Sequence, residues 1–445
     1  MEKSTLEPLV DERRDYPRIL VPPPGPRARA VIEKDTAYAS PSYVKEYPLV
    51  AASGRGAMLE DVDGNRYIDW MAGIAVSTTG YNHPAVVAAV REAAGKFLHI
   101  CGSDFYYQSF SDLLERLARS VRGEERRRVF LTNSGTEAVE GAVKSAREHT
   151  RRQGLICFQN AFHGRSYAAM SLSSSKVKYR HGFGPLLPGV YDLPFHNPYR
   201  NTLEECLEAA ERLFRSQVAP DEIAAVILEP MQGEGGYVLP SRAFLEYWRT
   251  FCDENGVVLI FDEIQTGIGR TGRMWAADHY DLEPDVILTA KGLGSGLPIG
   301  AIVAKESVMT WPRGSHGSTF GGNPVACAAA LATLDLVEHG LADNAARMGA
   351  RLKAGLEELA RRHPAIGDVR GAGLFIGLEL VRDRATREPA RELVQRLEQV
   401  ALGRGLLLLG AGQSVIRIAP PLVLGEYDVD RGLEILDAAL REVAA

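Results

Sequence analysis

The sequence predicts an α/β fold: a mostly parallel sheet wrapped by helices, with a smaller α/β lobe beside it. Three observations carry that reading. Between residues 110 and 335 short apolar runs alternate with helical stretches, the pattern of strands joined by helical crossovers. Five of those runs stop abruptly at polar or glycine residues, as buried strands do where they reach a ligand-binding edge. The composition is that of a globular chain with more than one domain, 445 residues of which 45% are hydrophobic and 24% charged.

From the N-terminus, residues 1–46 read as an arm. Its first thirty residues are irregular, with Pro22, Pro23, Pro24, Gly25 and Pro26 holding the chain extended. Residues 47–109 read as the N-terminal part of a small domain and a linker. They hold the text LEDVDGNRYIDW, two short strands closed by a turn at Asp63 and Gly64. Residues 110–335 read as the large domain. There the run 129–131 leads into Thr132, Asn133, Ser134, Gly135 and Thr136, and the run 155–158 is followed by Phe162, His163, Gly164 and Arg165. The runs 225–228, 257–261 and 286–288 end near Glu229, Asp262 and Lys291 respectively. Residues 336–445 read as the C-terminal small domain, with a helix over 347–361, strands near 373–380 and 415–418, and a last helix from about residue 428.

Charge and cysteine usage exclude several function classes. A net charge of −6 leaves no electrostatic footprint for nucleic acid. No apolar stretch approaches the ~20 residues of a membrane helix, and the opening text has no signal-peptide pattern, so a cytoplasmic protein is expected. The five cysteines are scattered and form no CxxC, which suggests neither a disulfide framework nor a metal site.

In an open parallel sheet, five strand endings of this kind imply one shared site. Ser134, Gly135 and Thr136 open a helical stretch, and they read either as a plain N-cap or as an anion site suited to phosphate. Asp262 follows five apolar residues, so its buried carboxylate needs a cationic partner. Lys291 precedes Gly292, Gly294 and Gly296; it is one of only ten lysines. Alone it reads as a solvated lysine. Together with a carboxylate, a phosphate cradle and the aromatic Phe162, it reads as the Schiff-base lysine of a pyridoxal-phosphate site.

From about Tyr47 onward the chain resembles the class III pyridoxal-phosphate aminotransferases, the ω-aminotransferase group. The motifs that carry the resemblance are NSGTEAVEGAVKSAR, FHGRSYAAMSLS, LEPMQGEGGY, VVLIFDEIQTGIGRTG, DVILTAKGLGSGLPIGAI, GSTFGGNPVACAAA, VRGAGLFIGLEL and VIRIAPPLV, in that order. The resemblance implies the fold-type I architecture, with the small domain built from the two chain ends. It implies that Lys291 bonds to pyridoxal 5'-phosphate and moves the Cα proton. Asp262 would keep the pyridine nitrogen protonated, Gln265 would donate to the phenolic oxygen and Phe162 would stack on the ring. His163 would either contribute nearby or serve packing. Ser134, Gly135 and Thr136 would hold the phosphate, and Thr319 would reach the phosphate of a neighbouring subunit, making the active unit a homodimer or larger.

For substrates, the resemblance implies that Arg417 clamps an α-carboxylate, that Glu234 pairs with Arg417 when the substrate has none, and that Arg165 holds the distal carboxylate. This favours 4-aminobutyrate as amino donor and 2-oxoglutarate as the 2-oxo acid acceptor. Ornithine δ-transamination is the close alternative, and lysine and acetylornithine fit less well. A racemase of the same fold would share Lys291 and Asp262 but would not need the alternation between Arg417 partners. A cofactor-binding transcription regulator would need a DNA-binding domain, which an arm of this length does not provide.

Overall fold

Seven strands form the central sheet of the computed structural model, which describes residues 15–444; residues 1–14 of the expected arm lie outside the described residues. Across the sheet the order is Arg127–Thr132, Gly300–Lys305, Val286–Thr289, Val258–Asp262, Ile223–Leu228, Gly154–Phe158 and Val190–Leu193. Gly300–Lys305 runs antiparallel to both its neighbours, while the remaining adjacent pairs are parallel. Six strands therefore share one direction, and their carboxyl ends emerge on one edge. The reversed strand has a local cause: residues 290–299 form too short a connection for the helical crossover that a parallel strand requires.

The central strands are buried at every position, as in Ile223–Leu228 (IAAVIL) and Val258–Asp262 (VLIFD). Their side chains alternate between two layers. Leu155, Ala225, Ile227, Val258 and Ile260 pack with Ala138, Val139 and Ala142 of the helix Gly135–Thr150. Ile156, Phe158, Val226, Leu228, Leu259 and Phe261 face the other core, with Phe244 and Trp248 of the helix Arg242–Asn255. A sheet covered on both faces needs apolar residues on both faces, which is why these runs are continuous rather than alternating.

Two smaller sheets flank this layer. One joins Ala51–Arg55, Met58–Asp61 and Arg66–Asp69 to Leu406–Leu407, so segments from both halves of the chain meet in it. The expected hairpin turn is present, with Gly64 at φ +87°, a conformation that favours glycine. The other sheet holds Ile366–Ala372, Phe375–Asp383, Val415–Ile418 and Leu409–Ala411. The arm differs from expectation at residues 26–30: expected to be irregular, they open the helix Pro26–Tyr38. Pro26 sits in its first turn, where a fixed φ favours helix and the missing N–H costs nothing, and the Asp63 carboxylate accepts from Arg27 and Ala28 N–H.

One helical run, Pro324–Arg362, is long and apolar enough by length and composition to cross a membrane. Half of its most apolar stretch is buried inside the protein, and the run is broken at His339 and Gly340.

Candidate active site

The carboxyl ends of five strands converge on one cavity of about 430 Å³, within the range of small-molecule sites. Its wall includes Ser134, Gly135, Thr136, Phe162, His163, Arg165, Glu234, Asp262, Gln265 and Lys291. Of the residues singled out from the sequence, Arg417 and Thr319 are not in that wall. Arg417, on Val415–Ile418, lies behind Glu234, and Thr319 sits on an exposed turn.

The helix Gly135–Thr150 points its N-terminus at the cavity. Ser134 is its N-cap, the hydroxyl accepting from Glu137 N–H at 3.4 Å. The capping and anion-site readings therefore coexist: one hydroxyl is used by the helix, while the first-turn N–H groups of Gly135 and Thr136 have no acceptor within the helix. Thr136 Oγ1 lies 2.5 Å from Ser166 Oγ, which ties the cradle to the loop after Gly154–Phe158. Close backbone approach here demands glycine. A Cβ on Gly164, at φ +138°, would lie 2.3 Å from Thr136 Oγ1.

The buried partner of Asp262 is His163. The ring Nδ1 lies 2.7 Å from Asp262 Oδ2, with both side chains buried. Burial alone would lower the His163 pKa, but the bond to Asp262 overrides it and leaves it raised. The other carboxylate oxygen of Asp262 accepts from Ile264 N–H at 3.0 Å.

Lys291 follows Val286–Thr289 and adopts φ +33°, a strained conformation for a residue with a side chain, of the kind that clusters at functional sites. It keeps one face open to the cavity while its amine is enclosed by protein. Burial lowers its pKa from the ordinary lysine value, against the attraction of Asp262, Glu234 and Glu229. A lysine so placed is neutral more readily than a free one, as a nucleophile or proton carrier must be.

At the substrate side, Glu234 Oε1 accepts from Arg417 Nη1 at 2.5 Å in a buried pair. Burial would raise the Glu234 pKa, but Arg417 and then Lys176 override it and hold it low. Arg165 is exposed, with its guanidinium stacked 4.0 Å over the Tyr179 ring and 5.9 Å from Phe162.

One wall residue, Glu229, and two neighbours of the wall, Lys176 beside Glu234 and Tyr179 beneath Arg165, were not among the sequence candidates. Glu229 stood in the strand-end set without a role. Its two oxygens accept from Phe162 N–H at 3.0 Å and Gly233 N–H at 2.7 Å, so one buried carboxylate clamps the loops that carry Phe162 and Glu234. Burial pushes its pKa up to about 7, with Asp262 adding to the effect. Lys176 and Tyr179 come from SSSKVKYR, which carries no motif or periodicity that could have marked them.

The donor set fits pyridoxal phosphate. A helix N-terminus and hydroxyls form an anion end, a buried carboxylate and a lysine face the middle, and Gln265 Oε1, an acceptor suited to a ligand hydroxyl, is buried with no hydrogen-bond partner among the described residues. His163 Nε2 is likewise unpartnered, and an unpaired buried polar atom is explained when a ligand completes it.

Comparison with known proteins agrees with this geometry. The family described as aminotransferase class-III matches residues 39–440. A 4-aminobutyrate aminotransferase of Mycobacterium tuberculosis is 40% identical over 442 residues, covering 96% of this chain and 98% of its own length. An alanine/serine racemase of Pyrococcus horikoshii is 37% identical over 445 residues, covering 96% and 93%. Among solved structures, an amine transaminase from an uncultivated Pseudomonas species in its PLP-bound form superposes with a TM-score of 0.83 at 31% identity, covering 91% of this chain and 98% of that one.

Proposed function

The chain belongs to the class-III aminotransferases, pyridoxal-phosphate enzymes that move an amino group between a donor and a keto acid, and from that premise we propose that it transfers the amino group of an ω-amino acid, 4-aminobutyrate first, to 2-oxoglutarate. The observation that carries the reading is the Glu234–Arg417 pair beside a cavity whose mouth holds Arg165. With Arg417 neutralised by Glu234, a donor lacking an α-carboxylate enters without leaving a buried charge unpaired. The exposed Arg165 guanidinium, oriented by Tyr179, takes the distal carboxylate of that donor. When 2-oxoglutarate follows, its α-carboxylate takes Arg417 and Glu234 moves aside.

Pyridoxal phosphate, when bound, supplies a ring that accepts the electron pair left when the Cα–H or Cω–H proton departs. Gly135 and Thr136 N–H groups would hold its phosphate, Phe162 would flank its ring and Gln265 would orient its hydroxyl edge. Asp262 would offer a carboxylate to its ring nitrogen, and His163 holds that carboxylate in place. Lys291, whose pKa burial lowers, would take and return the substrate proton.

The active unit is proposed to be a homodimer. Thr319 is exposed and outside the cavity of its own chain, and Phe320 beside it is an exposed aromatic residue, as are Phe97, Phe105 and Tyr106. A cytoplasmic setting is supported by five free cysteines, four of them buried.

Single-turnover mixing of the pyridoxal form with one donor at a time tests the reading by loss of the visible cofactor band. Fast conversion by 4-aminobutyrate and slow conversion by ornithine are expected. Conversion mainly by ornithine would move the assignment to a δ-aminotransferase. Racemised amino acid with no lasting amino form of the cofactor would replace transfer by racemisation.

A further inference from the structure

The Arg417–Glu234 pair accounts for only one state of the site. Once an acceptor's α-carboxylate occupies Arg417, Glu234 must hold its charge elsewhere. It is only 8% exposed, and a carboxylate that deep without a cation is strongly disfavoured.

A second cation is already in reach. Lys176, just ahead of the short turn Val177–Tyr179, places Nζ 3.7 Å from Glu234 Oε2, while Arg417 Nη1 holds Oε1 at 2.5 Å. The two oxygens of one carboxylate thus face different cations, and a small displacement exchanges one partner for the other. The Lys176 side chain is 33% exposed, so its ammonium keeps part of its hydration while Arg417 holds Glu234, and its flexible stem can follow the carboxylate inward. Glu234 also has room to move. It lines a second, polar cavity of about 410 Å³ with Asn160, Ser175, Gln232 and Gln413; the two arginines in that wall, Arg200 and Arg370, are already paired with Glu379, which leaves Lys176 as the cation at hand.

We propose that Lys176 is a specificity-determining residue: the cation that holds Glu234 while Arg417 binds the α-carboxylate of the acceptor. The inference rests on the Glu234–Arg417 exchange proposed above. In both states each buried carboxylate keeps a cation beside it. With an ω-amino donor the pair is Arg417–Glu234 and Lys176 is partly hydrated; with a 2-oxo dicarboxylate the pairs are Arg417–α-carboxylate and Lys176–Glu234. Lys176 acts through Glu234 and is a positioning residue, outside the wall of the cavity that holds Lys291.

The test measures both half-reactions of the holoenzyme, with 4-aminobutyrate and with 2-oxoglutarate, in Lys176→Met, Lys176→Arg, Glu234→Ala and the double variant Lys176→Met/Glu234→Ala. Lys176→Met is expected to weaken apparent 2-oxoglutarate binding roughly fivefold and to change the 4-aminobutyrate half less than about twofold. Lys176→Arg restores the wild-type value, and in the Glu234→Ala background the Lys176→Met change adds nothing. Equal losses in both halves for Lys176→Met, or a full effect persisting without Glu234, overturn the proposal. The two levels separate cleanly. An asymmetric Glu234→Ala beside a Lys176→Met that behaves as wild type leaves the exchange standing and removes Lys176 from it; a Glu234→Ala that slows both halves equally removes the exchange itself.

Discussion

At the scale of single residues, the site is organised by which charges are paired and which are not. Asp262 is held by His163 and Glu234 by Arg417, whereas the enclosed amine of Lys291 is pushed toward neutrality. Because burial depresses the Lys291 pKa, the neutral amine prevails at lower pH than for a free lysine. The rate at which apoprotein covalently captures pyridoxal phosphate is therefore expected to level off below pH 10.5, read from growth of the visible band. A rate still climbing through that value would contradict the desolvation argument. In Lys291→Ala the band should be absent after dialysis, with turnover lost. Arg165→Gln is expected to raise KM for 4-aminobutyrate by about tenfold or more while sparing an uncharged amine, since a bidentate charged contact is worth roughly 1.5–3 kcal/mol. An equal loss with the uncharged amine would make Arg165 a structural residue, held by its stacking on Tyr179.

At the scale of elements, the strand ends were legible because a strand covered on both faces writes itself as a continuous apolar run and its end as a polar break. Ile223–Leu228 and Val258–Asp262 are of this kind, and Glu229 and Asp262 stand where those runs end. Ile366–Ala372 was missed because its middle, Asp368 to Gly371, is only partly buried, with Asp368 paired to Arg370, so no run marks it. The helix Arg391–Gly403 was missed as well; its strongly charged face interrupts the apolar pattern, leaving Val394, Leu397, Ala401 and Leu402 to be buried. Loop geometry yields its own prediction. Gly164→Ala combines a φ of +138° with a Cβ 2.3 Å from Thr136 Oγ1, so it should cost about 1–3 kcal/mol of stability and weaken cofactor affinity by displacing the phosphate loop. Thermal unfolding and cofactor titration read both effects. Gly403→Ala, with nothing within 4 Å, serves as the comparison and is expected to be neutral or mildly stabilising.

At the scale of the whole molecule, one cavity is assembled from strands that lie far apart in sequence, so ligand binding and global stability are coupled. Adding pyridoxal phosphate at about 100 times its dissociation constant should stabilise the fold by about 2.7 kcal/mol, and its removal should lower the unfolding midpoint and make it depend on cofactor concentration. A midpoint indifferent to cofactor would mean that the strand ends are already fixed without it. The sequence by itself determined the α/β class, the strand-end residues and the constellation of Lys291, Asp262 and the Ser134–Thr136 loop, because periodicity, capping and turn chemistry act over a few residues and are written locally. Only the tertiary structure decided that His163 is the partner of Asp262, that Glu229 clamps two loops, and that Lys176 stands beside Glu234. Glu234 and Arg417 lie 183 positions apart in the chain and 2.5 Å apart in space. No local pattern encodes such a distance; it is set by how the sheet of Val415–Ile418 packs against the ends of the central strands.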